Sequence, residues 1–368
     1  MTLSRAQRMA MSRPAAGGIH LVSTGLAERA AIQQRLYRTT HAHEVEAQWW
    51  STLSQLPSAR VALLGVPSDA GAGFTRGANR APAALRAHLL EDAEHPLWRP
   101  WVCDLGDVFT VPHFLSDDML SPAQKEAAQR ALYGEVFEPA WPVSPLDICQ
   151  TLLDDAYRQN PDIVPIVIGG DHSVGWPAFA AAHAHWEGHR GRRIGLLHFD
   201  AHTDLLPERL GVQYCFATWA WHANERLGRD GRLVQVGIRA SGRTQQHWEQ
   251  SLGVRQYWAQ TANALGAQAI ADEIIGRWRA LDVDALYISN DIDGTDPQWA
   301  SATGTPEPGG LHPDFVLDLV QIVAAAFPLV GADLVEVAPP LVGHQPGEPK
   351  RTLDTAGRYL GQCIDLAQ

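Results

Sequence analysis

No apolar stretch in this chain approaches the roughly 18 residues that a membrane-crossing helix needs. The start of the sequence, MTLSRAQRMAMSRPAAGG, carries Arg5 and Arg8 but no continuous apolar segment behind them, so no secretory signal is expected. Cysteine is scarce: Cys103, Cys149, Cys215 and Cys363 stand far apart and make no C-x-x-C pair, which indicates a reducing compartment. Basic residues are in deficit, 29 Lys and Arg against 41 Asp and Glu, for a formal charge of −12. Nucleic acids and anionic membranes bind basic patches, so neither partner is expected, whereas a cationic substrate is compatible with this balance. No repeat of fixed period and no low-complexity tract breaks the chain. The expectation is a soluble, cytoplasmic protein.

What is present is hydrophobic material, 45% of 368 residues, enough for a large core. Short apolar runs stand at VALLGV (61–66), WVCDLGDV (101–108), IVPIVIGG (163–170), RIGLLHFD (193–200), LVQVGIR (233–239), ALYISNDID (285–293) and VGADLVEVAP (330–339). Between them lie amphipathic segments of helical length, such as WPAFAAAHAHWEGH and AQAIADEIIGRWRALD. Strands buried on both faces and alternating with helices indicate an α/β fold with a mainly parallel sheet. Residues 1–59 are weakly patterned, with a helix-like stretch at Glu44–Leu56, and read as an N-terminal extension. Residues 112–150 are punctuated by proline and read as an insertion containing one helix, Pro122–Leu132.

Open α/β sheets bind ligands beyond the carboxyl ends of their strands. Three of the runs end in acids or histidines. IVIGG leads to Asp171, His172 and Ser173; LLHFD leads to His202 and Asp204; YISND leads to Asp293. In LLHFDAHTDLL, His198, Asp200, His202 and Asp204 recur at every second position, which puts them on one face if the extended form lasts that far. Asp200, Asp204, Asp291 and Asp293 together bring four negative charges, which two divalent cations would balance, with His172 and His202 as neutral nitrogen ligands. An oxygen-rich set with few imidazoles suits Mn2+ better than Zn2+, and two metals close together lower the pKa of a shared water. His198 lies one step deeper and reads as a buried supporting histidine.

GGDHS (169–173), DAHTD (200–204) and SNDIDGTDP (289–297) resemble the three signatures of the ureohydrolase (arginase/agmatinase/formimidoylglutamase) family. The resemblance continues through GVPSDAGAGFTRGANRAPAALR (65–86), DLGDV (104–108), ATGTPEPGGL (302–311) and ADLVEVAPP (332–340), covering roughly residues 60–365. It implies a three-layer αβα sandwich with a mainly parallel sheet of about eight strands, residues 60–368 forming the catalytic domain. It also implies two Mn2+ per chain, with Ni2+ or Co2+ as alternatives, and a homo-oligomer, trimeric or hexameric. By resemblance, His172, Asp200, Asp204 and Asp291 hold one metal and His202, Asp200, Asp291 and Asp293 the other, with Asp200 and Asp291 bridging. Glu336 corresponds to the family glutamate that pairs with the substrate guanidinium, and Asp204 takes a proton as the tetrahedral intermediate collapses.

The chain departs from the pattern at the rim. Family members carry a His-Gly some dozen residues after DAHxD; here GVQYCFATWAWHAN (211–224) puts Tyr214 and Cys215 near that place, and His222 reads as a helix-face residue. The acids that follow the GLR strand of arginases are missing, and Ala240, Ser241, Gly242 and Arg243 follow GIR instead. Tyr214, Cys215 and Arg243 are therefore candidate substrate contacts, with Phe216 and Trp219 adding an aromatic rim. The expected activity is hydrolysis of a small guanidino compound other than arginine to urea and an amine, agmatinase-like, with a guanidino acid, free guanidine or a formimino compound as alternatives. A non-catalytic metal-binding homologue is the reading from another class.

Overall fold

The apolar runs become strands for the reason their composition suggests: each is buried along its full length. In the computed structural model, which describes residues 2–73, 75–92, 94–342 and 346–367, they join one nine-stranded sheet. Phe74, in the glycine-rich stretch read from the sequence, lies outside the described residues. The strands are β1 (Ser12–Arg13), β2 (Val61–Gly65), β3 (Val102–Val108), β4 (Val164–Ile168), β5 (Ile194–Phe199), β6 (Leu233–Val236), β7 (Arg255–Tyr257), β8 (Ala285–Asp291) and β9 (Leu329–Val335). Their order is β1-β3-β2-β4-β9-β8-β5-β6-β7, parallel throughout except for β1, which runs antiparallel to β3. Helices Pro145–Gln159, Gly175–His183 and Trp219–Arg226 pack on one another in chain order, and helices Ala81–Leu89, Lys350–Leu366, Pro313–Ala326 and Ala267–Ala280 form a second connected group. Both groups reach β9, one through Gly175–His183 and the other through Lys350–Leu366, which gives the three layers.

The strands β1 and β7 were not among the sequence-read runs. Each is too short to carry a pattern: two residues and three residues, respectively. β1 brings the N-terminal segment into the sheet, and Arg8 behind it makes a buried ion pair with Asp155. The helix-like stretch at 44–56 is a helix at Val45–Leu53, and the helix expected in the insertion spans Pro122–Tyr133, started by a capping box between Ser121 and Gln124. The insertion as read, 112–150, ends inside Pro145–Gln159, a helix that covers the sheet.

One row of paired residues positions the site. Ile168 pairs with Leu334, Leu334 with Asn290 and Asn290 with Phe199, so β4, β9, β8 and β5 end level. β4 and β5 follow one another in the chain yet lie apart in the sheet, with β9 and β8 between them. Such a switch in strand order opens a crevice at the carboxyl edge. Gly170 allows the chain to turn tightly there: a Cβ on it would lie 1.5 Å from the Ser68 carbonyl oxygen.

Candidate metal centre and substrate rim

The loops leaving that row carry the sequence-read ligands. Asp200 and Asp291 lie one residue beyond it, Glu336 two, His202 and Asp293 three, His172 four and Asp204 five. The alternation read in LLHFDAHTD does not persist as strand, because β5 ends at Phe199. Instead the loop turns, with Asp204 in the left-handed region at φ 51°. Glu336 also has positive φ, 60°. Left-handed backbone is uncommon outside glycine and is concentrated at functional sites.

His172 Nδ1 lies 3.2 Å from Asp200 Oδ2, 3.2 Å from Asp204 Oδ2 and 3.1 Å from Asp291 Oδ2. His202 Nδ1 lies 3.4 Å from Asp200 Oδ1 and 3.1 Å from Asp293 Oδ2. Asp200 thus faces one imidazole with each oxygen, which is the placement of a bridging carboxylate. Asp291 shows only one such face: its Oδ2 meets His172, while its Oδ1 accepts the Asp293 amide at 2.8 Å. No lysine or arginine side chain pairs with these four carboxylates among the described residues.

The residues behind the histidines decide what the cluster can hold. His172 Nε2 lies 3.0 Å from Ser289 Oγ, and Ser289 donates its hydroxyl to Asp333 at 2.7 Å. Tyr287 donates to the other Asp333 oxygen at 2.8 Å. With Asp333 ionised, the serine proton is committed, so His172 must donate from Nε2. A neutral ring then points the Nδ1 lone pair at three carboxylate oxygens. Acceptors facing acceptors in a dry site need a proton or a metal cation between them, and an imidazole held by its other nitrogen is the usual state of a metal ligand. The donor set therefore fits divalent ions.

The same crowding shifts the titration of the groups. Burial works against the charged His172 ring, but the carboxylates of Asp200, Asp204 and Asp291 outweigh it and hold its pKa well above the ordinary value. Burial likewise opposes His202, yet Asp200 and Asp293 raise it to about 12. Burial, then the charges of Asp293 and Asp200, pushes Asp291 well up. The carboxylates and histidines thus share protons that a bound cation would displace.

His198 is fully buried and donates from Nε2 to Asp200 Oδ2 at 2.9 Å, with its Nδ1 accepting from Gln235 at 2.9 Å. Gln256 holds Gln235 in turn at 2.8 Å. Trp219 stacks on His172 at 4.4 Å and donates its indole N–H to Asp204 Oδ2 at 3.0 Å. Arg239 donates to the backbone oxygens of Asp293 and Glu307, both at 2.6 Å. Gln235, Gln256, Ser289, Asp333 and Arg239 were missed as site residues, although for Gln235, Ser289 and Asp333 a lone polar residue inside an apolar strand is itself a signal.

Glu336 is nearly buried, with Oε1 accepting the His172 amide at 2.9 Å. Burial, then the charge of Asp171, raises its pKa well above the usual carboxylate range. A cationic ligand would relieve both effects.

The rim differs from its sequence reading. A cavity of about 390 Å3 is bordered by His202, Asp204, Phe216, Arg243 and Trp248. A second, of about 520 Å3, is bordered by Gly71, Phe114, Met119, Cys215 and Phe216, so residues of the insertion reach this mouth. Cys215 is buried, and that burial raises its thiol pKa. Tyr214 borders neither cavity: it stacks on Trp176 at 5.5 Å and 8°, which turns it away from the rim. Trp219 lies beneath the cluster, fully buried, rather than on the rim. His222 is a buried helix residue 2.9 Å from the Gln213 carbonyl oxygen.

A carboxylate–imidazole cluster at the carboxyl edge of a parallel sheet, with one aspartate facing both imidazoles, offers two adjoining sets of groups that can hold metal ions in a three-layer α/β fold. Residues 59–360 match the model of the Arginase family, and the chain belongs to that family. It is 36% identical to the mitochondrial agmatinase of Gallus gallus, over 76% of this chain and 74% of that protein. It is 31% identical to the guanidinopropionase of Pseudomonas aeruginosa, over 76% of this chain and 80% of that one. Among solved structures, proclavaminate amidino hydrolase from Streptomyces clavuligerus superposes with a TM-score of 0.64 at 26% identity, covering 83% of this chain and 91% of that chain.

Proposed function

We propose that this protein is a binuclear metal-dependent hydrolase that cleaves a guanidino compound to urea and an amine, of the agmatinase and guanidino-acid hydrolase kind rather than an arginase. The observation that carries the reading is the cluster of His172, Asp200, His202, Asp204, Asp291 and Asp293 with Glu336 alongside, bonded to the backbone of His172. Relatives named for agmatine and guanidinopropionate support the substrate class.

Ions bound by the six residues supply Lewis acidity and lower the pKa of water. Glu336 holds the planar guanidinium through charge-assisted hydrogen bonds, fixing its carbon above the cluster. Water oxygen adds to that carbon, the C–N bond to the tail breaks, and the leaving nitrogen takes a proton. Asp204 is the carrier we assign for that proton, its Oδ2 being steadied by Trp219. Arginine also presents an α-ammonium group, and no carboxylate of the 240–243 loop stands ready to receive it.

Mn2+ is the ion we assign, on the oxygen-rich donor set, with Ni2+ and Co2+ accepting overlapping ligands. We place the protein in the cytoplasm on its four free cysteines and treat it as a homo-oligomer, trimeric or hexameric, on the family resemblance. Residues 60–368 are the catalytic unit we assign, the insertion bordering its mouth. Urea release from agmatine, guanidino acids, arginine and free guanidine by Mn2+-loaded protein tests the reading. Turnover of at least one compound is expected, and metal-replete protein inert toward all of them points to a metal-binding homologue without catalysis.

A further inference from the structure

The cavity above His202 and Asp204 is bordered by two guanidinium groups, Arg209 and Arg243. Both are exposed, and among the described residues neither side chain makes an ion pair or a hydrogen bond. Arg209 is held by stacking alone, its guanidinium carbon 5.0 Å from the centre of the Phe216 ring. Arg209 and Phe216 border both cavities, so this pair stands between them. Arg243 is presented from a braced loop: Trp248 donates to Ser241 Oγ at 3.0 Å, and Ser241 donates to the Arg243 carbonyl oxygen at 2.8 Å.

The balancing acids are elsewhere. Asp204 is the one carboxylate on this wall, and it is committed to His172 and Trp219. Glu307 lies 3.9 Å from His202 Nε2 and does not border the cavity. Two guanidinium groups with no ion-pair partner among the described residues, flanking a pocket whose one carboxylate is already committed, repel an ammonium tail. They match a carboxylate, which guanidinium groups bind in a planar, often bidentate geometry.

We infer that the substrate is an ω-guanidino acid whose tail carboxylate is held by Arg209 and Arg243; this rests on the guanidine-hydrolase reading above. The guanidinium end meets Glu336, and the carboxylate meets the arginines at the cavity wall. Arginine carries a carboxylate too, but its α-ammonium would enter between the same two cations.

The test compares kcat/KM of the Mn2+-loaded full chain for 3-guanidinopropionate, 4-guanidinobutyrate, agmatine and arginine. At least one acid should exceed both agmatine and arginine by about tenfold or more. Arg209→Gln and Arg243→Gln should each lower the acid-to-agmatine ratio by about tenfold, mainly through KM, and Arg243→Glu should shift preference toward agmatine. Agmatine as the better substrate, or variants that lower acid and agmatine turnover equally, would overturn the assignment while leaving guanidine hydrolysis intact. No turnover of any compound would remove both.

Discussion

Ser289 is the residue on which the state of His172 depends. It connects the ring to Asp333 and so fixes which nitrogen faces the carboxylates. Ser289→Ala keeps all six proposed ligands but frees the ring, and loss of such a support usually weakens metal binding about 10–100-fold. Competition against a chromogenic chelator measures it; unchanged affinity would remove Ser289 from the account. The shared aspartate and an unshared one make a sharper comparison. Asp200 faces both imidazoles, whereas Asp293 faces His202 alone. Asp200→Ala should therefore lower metal content at both positions and Asp293→Ala mainly at one. Elemental analysis finding two metals per chain in both variants would contradict the ligand assignment.

The C-terminal ends of β4, β5 and β8 were legible because acids and histidines at the end of an apolar run have few structural uses. Glu336, after β9, was legible only through the family resemblance. The supports were not legible. Gln235, Ser289 and Asp333 interrupt apolar strands, but their partners lie on other strands and no local spacing links them. Rim aromatics were misplaced for a similar reason: Tyr214 and Trp219 are close in sequence to Phe216, yet Trp176 and His172 claim their rings. The insertion offers a test of its own. Asp147, in the first turn of Pro145–Gln159, accepts the Asp117 amide at 2.9 Å and so ties the insertion to that helix. Burial raises its pKa to about 6, against the opposing hydrogen bond from Asp117. A raised carboxylate favours the folded state when protonated, so stability should fall as pH rises from about 4 through about 6. Asp147→Asn keeps the acceptor and removes the charge. Thermal melts should show the variant more stable than the parent by about 1–2 kcal/mol at pH 8, with the difference gone near pH 4. A constant difference across that range would count against a half-buried Asp147 that ionises in the folded state.

Across the molecule, the sheet order concentrates the chemistry. β4, β9, β8 and β5 are neighbours, and together they deliver the six proposed ligands and Glu336 to one edge, although these residues span positions 172 to 336 of the chain. The acidic balance of the whole chain, −12, does not carry over to the rim, where Arg209 and Arg243 border the cavity. Net charge therefore says little about the substrate tail. The central claim is that the cluster and Glu336 act together on a guanidinium group, and one paired measurement tests it most directly: bound metal and urea release determined on the same Mn2+-loaded samples of the parent chain and Glu336→Gln. The account predicts two metals per chain in both, with turnover of the best guanidino substrate at least about 100-fold lower in the variant, as loss of a charge-assisted contact of roughly 3 kcal/mol requires. Equal turnover by the variant at equal metal content would contradict it.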